Sequence, residues 1–118
     1  MKEENNSHIQ ALDEGKIKYK GHWYTESFIL FNEEIITSWS HPEVKDLKID
    51  DFKFALDSEC ELILLGTGLN QVFPDRYLLT EILKAGKGIE VMDTMSACRT
   101  YNVISSEYRS VVAMLMNN

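Results

Sequence analysis

The sequence predicts an α/β fold: a single compact layered domain with a mixed sheet, in which a C-terminal β-α-β-α-β parallel part sits beside N-terminal antiparallel strands. Three observations carry this. Leu62-Ile63-Leu64-Leu65 is continuously apolar, as a strand buried on both faces must be. From that run to Ile89-Glu90-Val91-Met92 the chain takes about 30 residues, the span of a βαβ unit with a right-handed crossover. The first 40 residues instead alternate short apolar and aromatic pieces with turn-forming residues, the pattern of antiparallel strands.

Residues 1–14 are polar and without period, so they are expected to form a weakly ordered arm ahead of a single domain over 15–118. Ile17-Lys18-Tyr19-Lys20 and Trp23-Tyr24 read as strands with Gly21-His22 as the turn. Phe28-Ile29-Leu30-Phe31 and Ile35-Ile36-Thr37-Ser38-Trp39 read as a hairpin around Asn32-Glu33-Glu34. His41-Pro42 breaks that run, because proline removes a ladder donor and restricts its predecessor. Asp50 to Leu56 reads as a short helix with acids at its N-terminal end and Phe52 and Leu56 on one face.

The helix over about 75–85 starts where Pro74 fits the first turn and Asp75 can cap, and ends at Gly86. Leu78, Leu79, Ile82 and Leu83 make its buried stripe. A second helix begins at Asp93-Thr94, with Ala97, Tyr101 and Ile104 on one face, and Val111 to Leu115 closes the chain as a buried strand.

With 118 residues the chain holds one core. Its net charge of −7 is concentrated in residues 1–60, where 13 acids face 7 bases. An acidic chain without a basic stripe repels phosphate backbones, which argues against nucleic acid as a partner. No apolar run approaches the roughly 20 residues of a bilayer span, so no membrane insertion is expected. Met1 to Asn6 has neither a basic head with an apolar stretch nor the acid-poor character of a presequence, and a cytoplasmic location is expected. Two cysteines, Cys60 and Cys98, are too few for a disulfide framework or a zinc knuckle. They are expected to be reduced and structural.

Gly66-Thr67-Gly68 follows the apolar strand, as phosphate-binding loops do. A dinucleotide fingerprint needs a third glycine with the helix opening inside the loop, and a Walker loop needs Gly-Lys-Ser/Thr. Neither follows here, so the nucleotide-loop reading fails and a structural turn remains. The stretch Val91 to Val103 is richer in chemistry. Ligands of open parallel sheets bind beyond the carboxyl ends of strands, and a helix N-terminus at Asp93-Thr94 offers free amides there. Gly66, Thr67, Gly68, Asp93, Thr94 and Arg99 are therefore candidate ligand-binding residues for a small anion. The same residues also fit a structural reading: Asp93 caps the helix, Arg99 pairs with an acid and Asn102 caps the helix end. Cys98 as nucleophile would need a lowered pKa and a base in reach. The histidines His8, His22 and His41 fall at no metal or dyad spacing, so no catalytic residue, metal site or cofactor is assigned. Trp23, Tyr24 and Trp39 are core aromatics or, on an uncovered sheet face, anchors of a protein interface.

"LLGTG" (64–68), Gln71, "FP" (73–74), "GIEVMDT" (88–94) and "ACRTYNV" (97–103) occur here in an order that resembles a family of small single-domain proteins. That family includes mitochondrial NADH:ubiquinone oxidoreductase complex assembly factor three and the adipogenesis-associated protein with an archaeal-type domain. The similarity runs from about residue 16 to the end. It implies a layered α/β domain with a mixed sheet and carries over no catalytic residue. One departure is Lys87, where the family more often has an apolar residue. The function expected is a non-enzymatic adaptor or assembly-factor-like protein with an unidentified protein partner. The alternative is a small-molecule or anion-binding domain with a site at the carboxyl ends of the central parallel strands.

Overall fold

The computed structural model describes residues 8–13, 15–39, 43–107 and 110–117, and His41-Pro42 falls outside them. Among the described residues eight strands and three α-helices follow one another: β1 (Ile9–Asp13), β2 (Lys16–Tyr19), β3 (His22–Tyr24), β4 (Phe28–Phe31), β5 (Glu34–Ser38), α1 (Lys53–Asp57), β6 (Leu62–Gly66), α2 (Arg76–Lys84), β7 (Gly88–Met92), α3 (Thr94–Ser106) and β8 (Val111–Leu115). Short 3-10 turns at Val44–Asp46 and Ile49–Phe52 precede α1, so the helix expected over 50–56 is part 3-10 and part α.

The main sheet has the order β5-β4-β8-β6-β7. β6 runs parallel to both β7 and β8, while β4 pairs antiparallel with β5 and β8. The sheet is therefore mixed, as the sequence predicts. Every residue of β6 and of β8 is buried. Alternation divides them between two cores. Leu62 and Leu64 of β6, with Val111, Ala113 and Leu115 of β8, face Ala97, Tyr101 and Ile104 of α3. Ile63 and Leu65, with Val112 and Met114, face Phe52, Ala55, Leu78 and Ile82 on the other side. Each of these fully buried aliphatic side chains contributes about 1.5–3 kcal/mol relative to exposure. This two-sided burial is why the strands read as unbroken apolar runs.

β1, β2 and β3 form a separate antiparallel sheet that closes the α3 core with Ile9, Ile17 and Tyr19. Ile9–Asp13 lies in the stretch the sequence assigns to a polar arm, and the structure makes it a strand. Only Ile9 in it is buried. The strand is held from outside: Ile9 N–H donates to Asn102 Oδ1 at 2.7 Å, and Asn102 Nδ2 donates to the Ile9 carbonyl at 3.0 Å. Asn102 thus ties a strand to α3 instead of capping the end of the helix.

The β2–β3 and β4–β5 turns adopt positive φ at each of their two positions, Lys20 (52°) with Gly21 (81°) and Asn32 (53°) with Glu33 (68°). This is the primed hairpin geometry whose twist matches the strands. The first turn therefore sits one residue earlier than expected, with His22 already in β3. In α2, Leu78 and Ile82 are buried, whereas Leu83 is exposed and leaves the expected stripe. Among the described residues no helix is long and apolar enough to cross a membrane.

Candidate functional site

The carboxyl ends of β6, β7 and β8 meet the N-terminus of α3 in one small region. β6 and β7 are neighbours in register, with Leu65 opposite Val91 and Gly66 opposite Met92. Gly66 has no room for a side chain, since a Cβ there would lie 3.0 Å from Thr94 Cα and 3.1 Å from Ala97 Cβ. Glycine is what lets α3 approach the strand. Beyond it the backbone turns at Gly68, whose φ of 96° suits glycine.

The polar groups of this corner bond to one another. Thr67 N–H donates to the Met92 carbonyl (2.9 Å), and Met116 N–H donates to the Gly66 carbonyl (2.9 Å). The Thr67 hydroxyl lies 2.6 Å from the Asn70 carbonyl and accepts from Val72 N–H at 3.1 Å. Thr94 is buried, and its hydroxyl accepts from Gly68 N–H (2.8 Å) while donating to the Met116 carbonyl (2.7 Å). Thr94 N–H in turn donates to the Gly68 carbonyl at 2.9 Å. Gly66-Thr67-Gly68 therefore turns a corner, and its amides are spent on the fold.

Asp93 caps α3. Ser96 N–H donates to Asp93 Oδ1 (2.8 Å) and the Ser96 hydroxyl to Oδ2 (3.0 Å). The Ser96 backbone bond is the main reason its carboxyl titrates below the usual value, with the Ser96 hydroxyl and the Arg99 charge adding to it. Arg99 itself is exposed. Cys98 is buried on α3, and burial, followed by the Asp93 charge, pushes its thiol up to about 12. That is the reverse of an activated nucleophile. Cys60 is also buried and free. Among the described residues no group of three or more His, Cys, Asp or Glu is placed to hold a metal ion.

Over this corner lies an open cleft of about 550 Å³, between the β1–β2 hairpin, the loop after β6, the start of α3 and the chain's last described residues. Of the sequence-derived candidates Gly68, Asp93 and Thr94 line it, and Gly66 and Thr67 support it from below. Arg99 lines a separate groove of about 270 Å³ between β1 and α3. Sequence reasoning missed Leu12, Asp13, Leu69 and Met95, which also line the cleft. Leu69, 78% exposed, shares its loop with the exposed Val72 and Phe73, so nothing in sequence sets it apart.

The three candidate interface aromatics separate. Trp23 is 46% exposed on the outer face of the small sheet, with the Lys16 and Lys18 ammonium groups 5.7 Å and 5.9 Å from its ring centroid. Tyr24 is half-buried and meets Phe28 edge-on, with centroids 5.3 Å apart. Trp39 is a core residue, packed with Val44, Leu47 and Phe52, the first of the two roles the sequence allows it. Its aromatic bulk does not distinguish the two roles in sequence.

Solved structures share this architecture along nearly the whole chain. A Bordetella parapertussis protein superposes with a TM-score of 0.85 at 28% identity, covering 94% of this chain and 95% of that one. A Xanthomonas campestris protein does so with 0.83 at 34% identity, covering 92% and 83%. A Bordetella pertussis protein described as an Mth938-like domain, at 22% identity and a TM-score of 0.82, shares the fold over 99% of this chain and 90% of that one. Among curated proteins, the 13 kDa major membrane protein of Francisella tularensis is 32% identical over 74 residues, 63% of this chain and 60% of that protein. NADH dehydrogenase [ubiquinone] 1 alpha subcomplex assembly factor 3 of Danio rerio is 32% identical over 83 residues, 69% of this chain and 48% of that protein. The chain thus spans about half to three-fifths of the length of these relatives. The resemblance read from the four motifs is borne out. The profile of the family described as "Protein of unknown function (DUF498/DUF598)" matches residues 9–116, and the chain belongs to that family.

Proposed function

We propose that this chain is a non-enzymatic, assembly-factor-like adaptor of the cytosol that acts by binding another protein through the outer face of its small sheet. The observation that carries this reading is the similarity, over 69% of the chain, to vertebrate proteins named as assembly factors. The site chemistry agrees with it. Thr67, Thr94 and Asp93 are engaged in holding the fold, and the Cys98 thiol is buried. Trp23, exposed between two lysines, offers the rigid aromatic anchor that dominates protein interfaces. Its charged surround complements an acidic partner surface. Two free, buried cysteines suit a reducing compartment.

A native pull-down with the wild-type chain, Trp23→Ser and Lys18→Glu tests the reading. It is supported by a protein recovered with wild type and lost with both variants, their circular dichroism being unchanged. Recovery of no protein, or equal recovery by all three chains, contradicts it.

A second reading, a small-molecule site at the carboxyl ends of the parallel strands, is supported by the cleft over Thr94. Its position is the one at which open α/β sheets hold ligands.

A further inference from the structure

We propose that the cleft over Thr94 takes an organic cation, an ammonium or guanidinium group carried on an apolar body, a proposal that rests on the small-molecule reading and gives it a ligand class. The cleft, about 550 Å³, lies within the size range of small-molecule sites. Its walls are apolar: Leu12 from β1, Leu69 from the loop after β6 and Met95 from α3. Leu69 and Met95 are 78% and 45% exposed, so a bound apolar group would remove from water surface that the free protein leaves wet. Methionine side chains adapt to the shape of such a group.

The charges of the cleft have one sign. Asp13, at the end of β1, and Asp93, at the start of α3, both line it, and no Lys, Arg or His is among its described lining residues. Three amides at this corner are occupied: Thr94 N–H by the Gly68 carbonyl, Gly68 N–H by the Thr94 hydroxyl, and Ser96 N–H by Asp93. Asp93 accepts one bond from Ser96 on each oxygen, and a carboxylate offers about four acceptor sites, so it retains capacity for a cationic donor. Arg99, the positive group that would favour an anion, lines the neighbouring groove. A small anion, the ligand expected from the helix N-terminus alone, is thus opposed by the charge of the wall.

The test uses the full chain labelled with ¹³C at its five methionine methyls. The probes are phenethylamine, 2-phenylethanol and 3-phenylpropionate, which share an apolar body and differ in charge. Phenethylamine is expected to shift the Met95 methyl saturably, and the other two are not. Asp13→Asn is expected to weaken the amine about tenfold, the worth of one charge-assisted hydrogen bond. Leu69→Arg, at an exposed position that does not disturb the core, is expected to abolish binding. Unchanged amine affinity in both variants overturns the proposal. Equal or tighter binding of the alcohol or the carboxylate overturns the ligand class and leaves the small-molecule reading standing. No methyl shift with any probe overturns both.

Discussion

Gly66 packs directly against Thr94: a Cβ on Gly66 would lie 3.0 Å from both the Cα and the Oγ1 of Thr94. The obstacle includes backbone, which a rotamer change cannot move. Gly66→Ala is expected to push α3 off the sheet and destabilise the chain by about 1–3 kcal/mol, the usual cost of overpacking. Urea unfolding checks it: the midpoint should fall at unchanged slope. An unchanged midpoint would show that α3 is free to shift.

Thr94 joins the loop after β6 to the end of β8 through a single buried hydroxyl. Thr94→Val keeps the shape but strands Gly68 N–H and the Met116 carbonyl, each costing about 1–3 kcal/mol when left unpaired in the interior. A loss of about 2–6 kcal/mol is therefore expected. Thr94→Ser keeps the hydroxyl and should cost only about 1 kcal/mol, near the value of one buried methyl. Equal losses for the two variants would remove the hydroxyl from the account.

Asp93 links stability to acid. Its folded pKa lies below the ordinary 3.8, so the unfolded chain binds the proton more tightly. The stabilisation is complete above about pH 4 and is lost as pH falls through the lowered folded value. Asp93→Asn keeps the cap, because Asn and Asp are similar at that position, but removes this dependence. The stability gap between wild type and variant should close in acid. A gap constant from pH 7 to pH 2 would contradict the assignment.

Lys87, a departure from the pattern of the family the sequence resembles, has a partner set in the structure. Its ammonium donates to the Ser58 carbonyl (2.6 Å) and the Cys60 carbonyl (2.9 Å), tying the turn after α2 to the entry of β6. Lys87→Met is expected to cost about 1–3 kcal/mol by the worth of hydrogen bonds to charged groups. Thermal unfolding checks it, and a stabilised variant would make Lys87 dispensable.

The parallel half was legible because two-sided burial writes itself as continuous apolar sequence, and because Asp75, Asp93 and Gly86 act locally, as caps and a positive-φ terminator. The adjacency of β6 and β7, on which the site depends, followed from the length of the crossover. Ile9–Asp13 was not legible: its strand depends on Asn102, 93 residues away, and on one buried isoleucine. Trp39 and Trp23 carry the same side chain, and only the tertiary cover over one of them separates core from surface. The cleft escaped for the same reason. Its two acids, Asp13 and Asp93, lie far apart in sequence and come to one cleft only when the hairpin folds over α3.

The adaptor reading is tested most directly by hydrogen–deuterium exchange on the chain bound to the protein it recovers from native lysate. Added protection is expected at residues 16–24, around Trp23, with the exchange of α3 unchanged. Protection of α3 with none at residues 16–24 would contradict the account.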